Sequence, residues 1–289
     1  MSERSRQVRP PSLKLRRASP RAIGPLAFAL AAAVAFSFAF TPLRTSHDEF
    51  WHLKTGQWIV QHGTLPKNDI FTYTAENLPW DNHEWLTQTL MWKLYAWGEA
   101  CGLGGWRAVI LAKALLIVAA FVGFGLLLAR RLSEPVWAAL AAALAAALGR
   151  RTFHPRPPVL TYLLLALLLW LLMEWRAGRL RDRWLWLLAP LFALWANLHG
   201  GWMAGLVVVA AFWGEAALGI GAPRLAGGAP FAQAHRRLTL LTGVGAACVA
   251  GTLCNPYGWR LYALPGRVMS DRYLAQSIGE MMPPDWHFV

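Results

Sequence analysis

Residues 106–129 read WRAVILAKALLIVAAFVGFGLLLA, an apolar run broken only by Arg107 and Lys113. A helix needs about 20 such residues to cross the hydrocarbon core of a bilayer, so this stretch predicts a transmembrane helix. Other apolar segments lie at roughly 22–40, 135–149, 158–174, 184–198, 201–219 and 238–254. Together they predict an all-α, polytopic helical membrane protein with about seven transmembrane helices. The 289-residue composition agrees, with 56% hydrophobic and 15% charged residues, and excludes both a disordered chain and an ordinary soluble domain.

The chain divides into a basic cytoplasmic tail, residues 1–21, and a single transmembrane domain, residues 22–289. The tail carries Arg4, Arg6, Arg9, Lys14, Arg16, Arg17 and Arg21 ahead of the first apolar run. That run exceeds the roughly 7 to 15 apolar residues of a cleavable signal peptide, so it reads as a retained anchor. Lys and Arg near span ends favour the cytoplasmic side, which places the N-terminus inside. Counting alternately, the inner loops then hold Arg130 and Arg131, next Arg176, Arg179, Arg181 and Arg183, and lastly Arg224, Arg236 and Arg237. The net charge of +13 is therefore a topology signal, and nucleic acid is not an expected partner. Only the turn RRTFHPRPP, residues 150–158, places Arg150, Arg151 and Arg156 on the opposite face.

Most groups capable of chemistry fall on that outer face. The first extracytoplasmic loop, residues 42–105, holds Asp48, Glu49, Asp69, Glu76, Asp81, Glu84 and Glu99. Its spacing predicts two interfacial helices. On the first, Asp48 and His52 share a face with Thr55 and Ile59, beside a stripe of Trp51 and Trp58. The competing reading is that Asp48 and Glu49 only cap that helix. The second begins at Asp81-Asn82-His83-Glu84, which has the form of a capping box and leaves His83 available to a cavity. Lys113, inside the second span, is a candidate phosphate contact or a snorkelling side chain. Glu215 reads as the partner of a loop arginine.

His47, His52, His83, His154 and His199 have no diagnostic metal spacing, and no H-E-x-x-H or C-x-x-C occurs. No cofactor is expected; a bound divalent cation stays an open alternative. Cys101, Cys248 and Cys254 are an odd, unpatterned set that argues neither a disulfide framework nor a metal site. No G-x-G-x-x-G, P-loop or G-x-S-x-G is present, so nucleotide-driven chemistry has no support.

The stretch HDEFWHLKTGQWIVQHGTLPKNDIFTYT, residues 47–74, resembles the first outer loop of GT-C superfamily membrane glycosyltransferases, especially RgtA/B/C/D-like and dolichyl-phosphate-mannose-type proteins. WDNHEWLTQ (80–88), HPRPPVLTYLLLALL (154–168), LWANLHGGW (194–202) and CNPYGWRLY (254–262) resemble motifs of a bacterial membrane branch of that group. The resemblance implies a polyprenyl-phosphate-linked sugar donor, transfer on the extracytoplasmic side of a bacterial inner membrane, and membrane lipids as surroundings. It matches Asp48 to the family's loop aspartate, a general base assisted by Glu49. Arg151, His154, Arg156 and Lys113 would hold the donor phosphate, since arginine's planar fork suits that group. His52, His83, Glu84, His199, Asn255 and Tyr257 would contact substrate, although Asn255-Pro256-Tyr257-Gly258 is equally a good turn. Superfamily members usually continue into further spans, so the resemblance also implies a C-terminally shortened representative. The alternative to transfer is a noncatalytic membrane protein that binds or transports polyprenyl phosphate, or serves as a complex subunit. Oligomeric state is not legible.

Overall fold

The computed structural model describes residues 20–41, 48–74, 76–221 and 231–271. Residues 1–19 of the basic tail, His47, Arg224 and the closing stretch 272–289 lie outside them. Among the described residues the chain is helical. The elements are α1 Pro20–Ala39, α2 Asp48–His62, α3 Trp85–Ala100, α4 Gly105–Ala129, α5 Pro135–Gly149, α6 Pro158–Arg176, α7 Leu188–Leu198, α8 Trp202–Gly221, α9 Phe231–Thr252 and α10 Arg260–Ser270. Short 3-10 turns at Arg150–Thr152 and Asp182–Leu187 lead toward α6 and α7. One isolated antiparallel bridge, Asn68 to Pro79, closes the loop between α2 and α3.

Each of the seven apolar segments forms a helix, but they are not equal. Among the described residues three are long and apolar enough to cross a membrane: α4, α6 and α8. Within α1 the described apolar part is Gly24–Ala39. The segment before α7 winds as a 3-10 turn, leaving α7 only 11 residues, and α5 has 15. α9 has the length, yet opens with the polar sequence FAQAHRR. Of the seven expected spans, α4, α6 and α8 meet the length and apolarity of a crossing helix among the described residues.

The helix starts follow from local chemistry. Pro135 and Pro158 occupy the first turns of α5 and α6, where a missing N–H costs nothing and the fixed φ is already helical. Between α3 and α4, Gly104 takes φ 88°, a left-handed conformation that a side chain disfavours, and reverses the chain in a few residues.

Two apolar cores hold the bundle. In the first, Ala35 and Ala39 of α1 meet Ala114 and Ile117 of α4, Ala146 of α5, Phe153 and Val159. Small residues allow these helices to approach closely, which is how apolar helices associate when lipid removes the hydrophobic drive. In the second, Leu168 and Leu172 of α6 pack with Phe192 and Trp195 of α7, Val209 of α8 and Leu241 and Val244 of α9. Contacts of α6 with α4, α7 and α8 join the two.

Two ends of the bundle differ in chemistry. At one, Glu174 near the end of α6 is buried and meets Arg130 at 3.0 Å and Arg179 at 2.6 Å, while Arg176 meets Glu215 at 2.5 Å. The opposite end gathers the starts of α2, α4, α6 and α8 with the ends of α7 and α9, and carries the candidate site.

Candidate functional site

α2 supplies the first two acids. Its buried face is Glu49, His52, Thr55, Gly56 and Ile59. Asp48, the first helical residue, turns instead toward the segment before α6, where its Oδ2 meets Arg156 Nη1 at 2.7 Å. Its Oδ1 accepts from Trp51 Nε1 at 3.3 Å. Burial pushes this carboxyl up, but the Arg156 and Trp51 hydrogen bonds and the Arg156 charge outweigh it, so Asp48 sits below its ordinary range and stays ionised. Glu49 is 1% exposed, and its Oε1 has no hydrogen-bond partner; His154 Nδ1 lies 3.6 Å away. A buried carboxyl oxygen without a hydrogen bond is uncommon in folded proteins.

α3 begins at Trp85, and Glu84 at its N-cap makes no side-chain cap. The capping box expected at Asp81–Glu84 is therefore not formed. Asp81 is taken by Arg260 at 2.9 Å and Arg267 at 2.7 Å, two cations from α10 that outcompete a single backbone N–H. Released from capping, Glu84 directs Oε1 to His83 Nε2 at 3.7 Å and His199 Nε2 at 3.5 Å. Burial holds its carboxyl high, at about 8, so it is protonated at neutral pH.

Hydrogen bonds fix the histidine tautomers. His199 Nδ1 accepts from the Gly201 N–H at 2.9 Å and lies 2.8 Å from Thr161 Oγ1, which itself accepts from Trp195 Nε1 at 3.2 Å. Neutral His199 consequently carries its proton on Nε2, facing Glu84. A Cβ at Gly201 would fall 2.2 Å from Thr161 Oγ1, so only glycine permits this approach. His52 Nδ1 accepts from Gln88 Nε2 at 3.3 Å, and Gln88 Oε1 accepts from Asn82 Nδ2 at 2.7 Å. Burial lowers His52 to about 3 and His199 to about 4, and lowers His83 as well; all three are neutral.

The two residues read as sugar contacts are framework. Asn255, buried, donates to the Ala196 carbonyl at 2.9 Å and the His83 carbonyl at 3.3 Å, and accepts from the Tyr257 N–H at 3.0 Å. Tyr257 Oη accepts from the Asn82 N–H at 3.0 Å. Together they clamp the turn after α9 onto the segment before α3, which is the turn reading of Asn-Pro-Tyr-Gly.

The basic set does not converge on one point. Lys113 is buried and donates to the Phe153 carbonyl at 2.9 Å, so it neither snorkels nor stands idle. Lys113, Arg150, Arg151 and His154 line a cavity of about 620 Å³ with Phe38 and Thr41. Arg156 faces Asp48 and borders a second, apolar groove of about 180 Å³ between α3, α4 and α6, which Lys113 and Pro155 share with the first. The phosphate set expected from sequence is thus split by the 153–157 turn.

Sequence reading missed Gln88, Asn82 and Thr161. The buried face of α3 is Thr87, Gln88, Met91 and Gly98, with Gln88 0% exposed, a largely polar and small-residue face that apolar spacing does not mark. Among the described residues no group of three or more His, Cys, Asp or Glu is arranged to hold a metal ion. Comparison with family models, curated proteins and solved structures gives no match. The likeness to GT-C enzymes accordingly rests on the quoted motifs alone.

Proposed function

We propose that this chain is a membrane glycosyltransferase that moves a sugar from a polyprenyl-phosphate-linked donor to an acceptor hydroxyl. The supporting observation is that the start of α2 sets two acids against the basic turn before α6, Asp48 on Arg156 and Glu49 beside His154. Transfer requires a base for the acceptor and positive donors for the departing lipid phosphate within one region. Asp48, ionised and half exposed, takes the hydroxyl proton as the acceptor oxygen attacks the anomeric carbon. The bond from that carbon to the phosphate oxygen breaks, and its electron pair leaves with the lipid phosphate. Arg151, His154 and the remaining protons of Lys113 stabilise that charge from the larger cavity, while the apolar groove beside Arg156 accommodates the first isoprene units. Protonated Glu84, with His83 and His199, donates hydrogen bonds to sugar oxygens. Acids of opposite protonation state in one region suit such a division of roles.

In this reading the site end faces the extracytoplasmic side of a bacterial inner membrane, and the arginine-rich end faces the cytoplasm by the positive-inside rule. Seven crossings remain part of the proposal, with α5, α7 and α9 completing the count beside the longer helices.

A second reading has its own support: the Asp48–Arg156 ion pair accounts for both residues without chemistry, and the basic cavity suffices to bind a polyprenyl phosphate. One experiment separates the two. In proteoliposomes with a radiolabelled polyprenyl-phosphate sugar, Asp48→Asn is expected to abolish transfer while donor binding persists, and Arg151→Ala with Arg156→Ala to lose donor binding. Full transfer by Asp48→Asn removes the enzyme reading. Retained binding by the double variant counts against both.

A further inference from the structure

The opposite end of the bundle carries a second basic cavity that the transfer reading leaves unused. It measures about 560 Å³ and is lined by Arg181, Arg183, Arg236 and Arg237, with Trp175 and Leu240 on its walls and Asp182 its one acid. Asp182 is already engaged, accepting from Trp175 Nε1 at 2.8 Å and pairing with Arg236 at 2.6 Å. The neighbouring acid Glu174 is neutralised by Arg130 and Arg179. Arg237 stacks 5.8 Å from the Trp175 ring centroid and donates to the Arg176 carbonyl at 3.3 Å. Among the described residues Arg181 and Arg183 make no ion pair, and both are exposed. The cavity therefore holds an excess of arginine, part of it fixed by aromatic and carboxylate neighbours.

Its position is set by α6. That helix has 19 residues, about 28 Å at 1.5 Å per residue, close to the roughly 30 Å hydrocarbon thickness of a bilayer. Arg156 stands just before its first residue and Arg176 is its last, so the second cavity lies one membrane thickness from the first site. Beside it Trp184, Trp186 and Leu187 are exposed, at 43, 48 and 47%. Tryptophans at such a level mark the headgroup layer.

The geometry points to a site for the phosphodiester headgroup of an anionic phospholipid at this end of the bundle. Arginine forks recognise the phosphate, and the exposed Trp184, Trp186 and Leu187 meet the acyl chains that a headgroup brings with it. A basic pocket between spans is a known form of lipid recognition, whereas scattered positive-inside arginines would build no cavity. This site is independent of the transfer reading.

The test uses the full chain in phosphatidylcholine nanodiscs containing spin-labelled phosphatidylglycerol, with the motionally restricted lipid measured by electron spin resonance. The wild type is expected to retain the anionic probe selectively, and Arg181→Gln with Arg183→Gln to weaken that retention about tenfold. The charge-matched pair Lys93→Gln with Arg107→Gln, remote from the cavity, is expected to leave it unchanged. Excess inorganic phosphate is expected not to displace the lipid. Unchanged retention in the cavity variant, equal loss in the remote pair, or full displacement by free phosphate would each overturn the assignment. Should the double variant unfold, Arg181→Glu alone, at an exposed position outside the helices, gives the same readout.

Discussion

Arg156 Nη1 lies 2.7 Å from Asp48 Oδ2, an ion pair between positions 108 residues apart that ties the start of α2 to the approach to α6. Because the arginine is what holds the Asp48 carboxyl below its ordinary 3.8, its removal must release that carboxyl upward. In Arg156→Gln the acid limb of the kcat/KM profile for sugar transfer is expected to move to higher pH, with activity reduced on the order of 10²-fold. An acid limb that stays in place would show that Asp48 is not the titrating group.

Stability should respond to pH in two opposed ways. Glu84 has its folded pKa raised from 4.5 to about 8, so its contribution is complete below 4.5 and lost as pH rises toward 8. His52 and His199 are held neutral, so theirs is complete above 6.5 and lost as pH falls toward about 3 and about 4. Glu84→Gln keeps the shape and cannot ionise. It is expected to flatten the alkaline decline and raise Tm at pH 8 on the order of 5 °C, taking about 2 to 4 °C per kcal/mol. Thermal unfolding in detergent at pH 5, 6.5 and 8 checks this.

Asn255→Ala removes four hydrogen-bonding partners at a 3% exposed position and leaves the Ala196 carbonyl and the Tyr257 N–H without theirs. Each orphaned group costs about 1 to 3 kcal/mol, so the expected result is a protein destabilised by about 2 to 5 kcal/mol. Tyr257→Phe strands only the Asn82 N–H and should lose about half as much by the same reckoning. If Asn255→Ala is as stable as the wild type and changes only substrate affinity, the framework role is wrong.

Gly56→Ala probes the crossing of α2 and α3. An added Cβ there would fall 1.9 Å from the Gln88 carbonyl oxygen and 2.5 Å from its carbon, both backbone atoms that cannot step aside. The helices must separate, and with them the His52–Gln88 bond. Loss of at least about 3 kcal/mol is expected, seen as reduced folded yield on size-exclusion chromatography, while Gly214→Ala, which meets nothing within 4 Å, serves as the tolerated control.

Much of the site was legible because apolar length alone decides which loops share an end. Asp48, His52, His83, Glu84, Arg156, His199, Asn255 and Tyr257 come from five separated motifs, yet the helices between them return each motif to the same end of the bundle. What was not legible depended on long-range competition. The D-x-x-E pattern at Asp81 is a local signal, and it lost to Arg260 and Arg267, 179 and 186 residues away. Lys113 was ambiguous between phosphate contact and snorkelling because its real partner, the Phe153 carbonyl, is a backbone atom that no sequence pattern displays. Arg151 and Arg156 are five residues apart, too close for spacing to reveal that the turn sends them to different cavities. Length and apolarity single out α4, α6 and α8 but not α7 and α9, where a 3-10 turn and a polar opening interrupt otherwise apolar stretches.

Lys113 also makes the segment ahead of α6 more than a rigid wall. Its ammonium reaches out of the packed interior of α4 to grip a single carbonyl on that segment. If a ligand drew Phe153 outward, a buried cation would be left unsatisfied until some anion replaced the carbonyl. The single hydrogen bond thus couples the position of the turn ahead of α6 to the interior of α4.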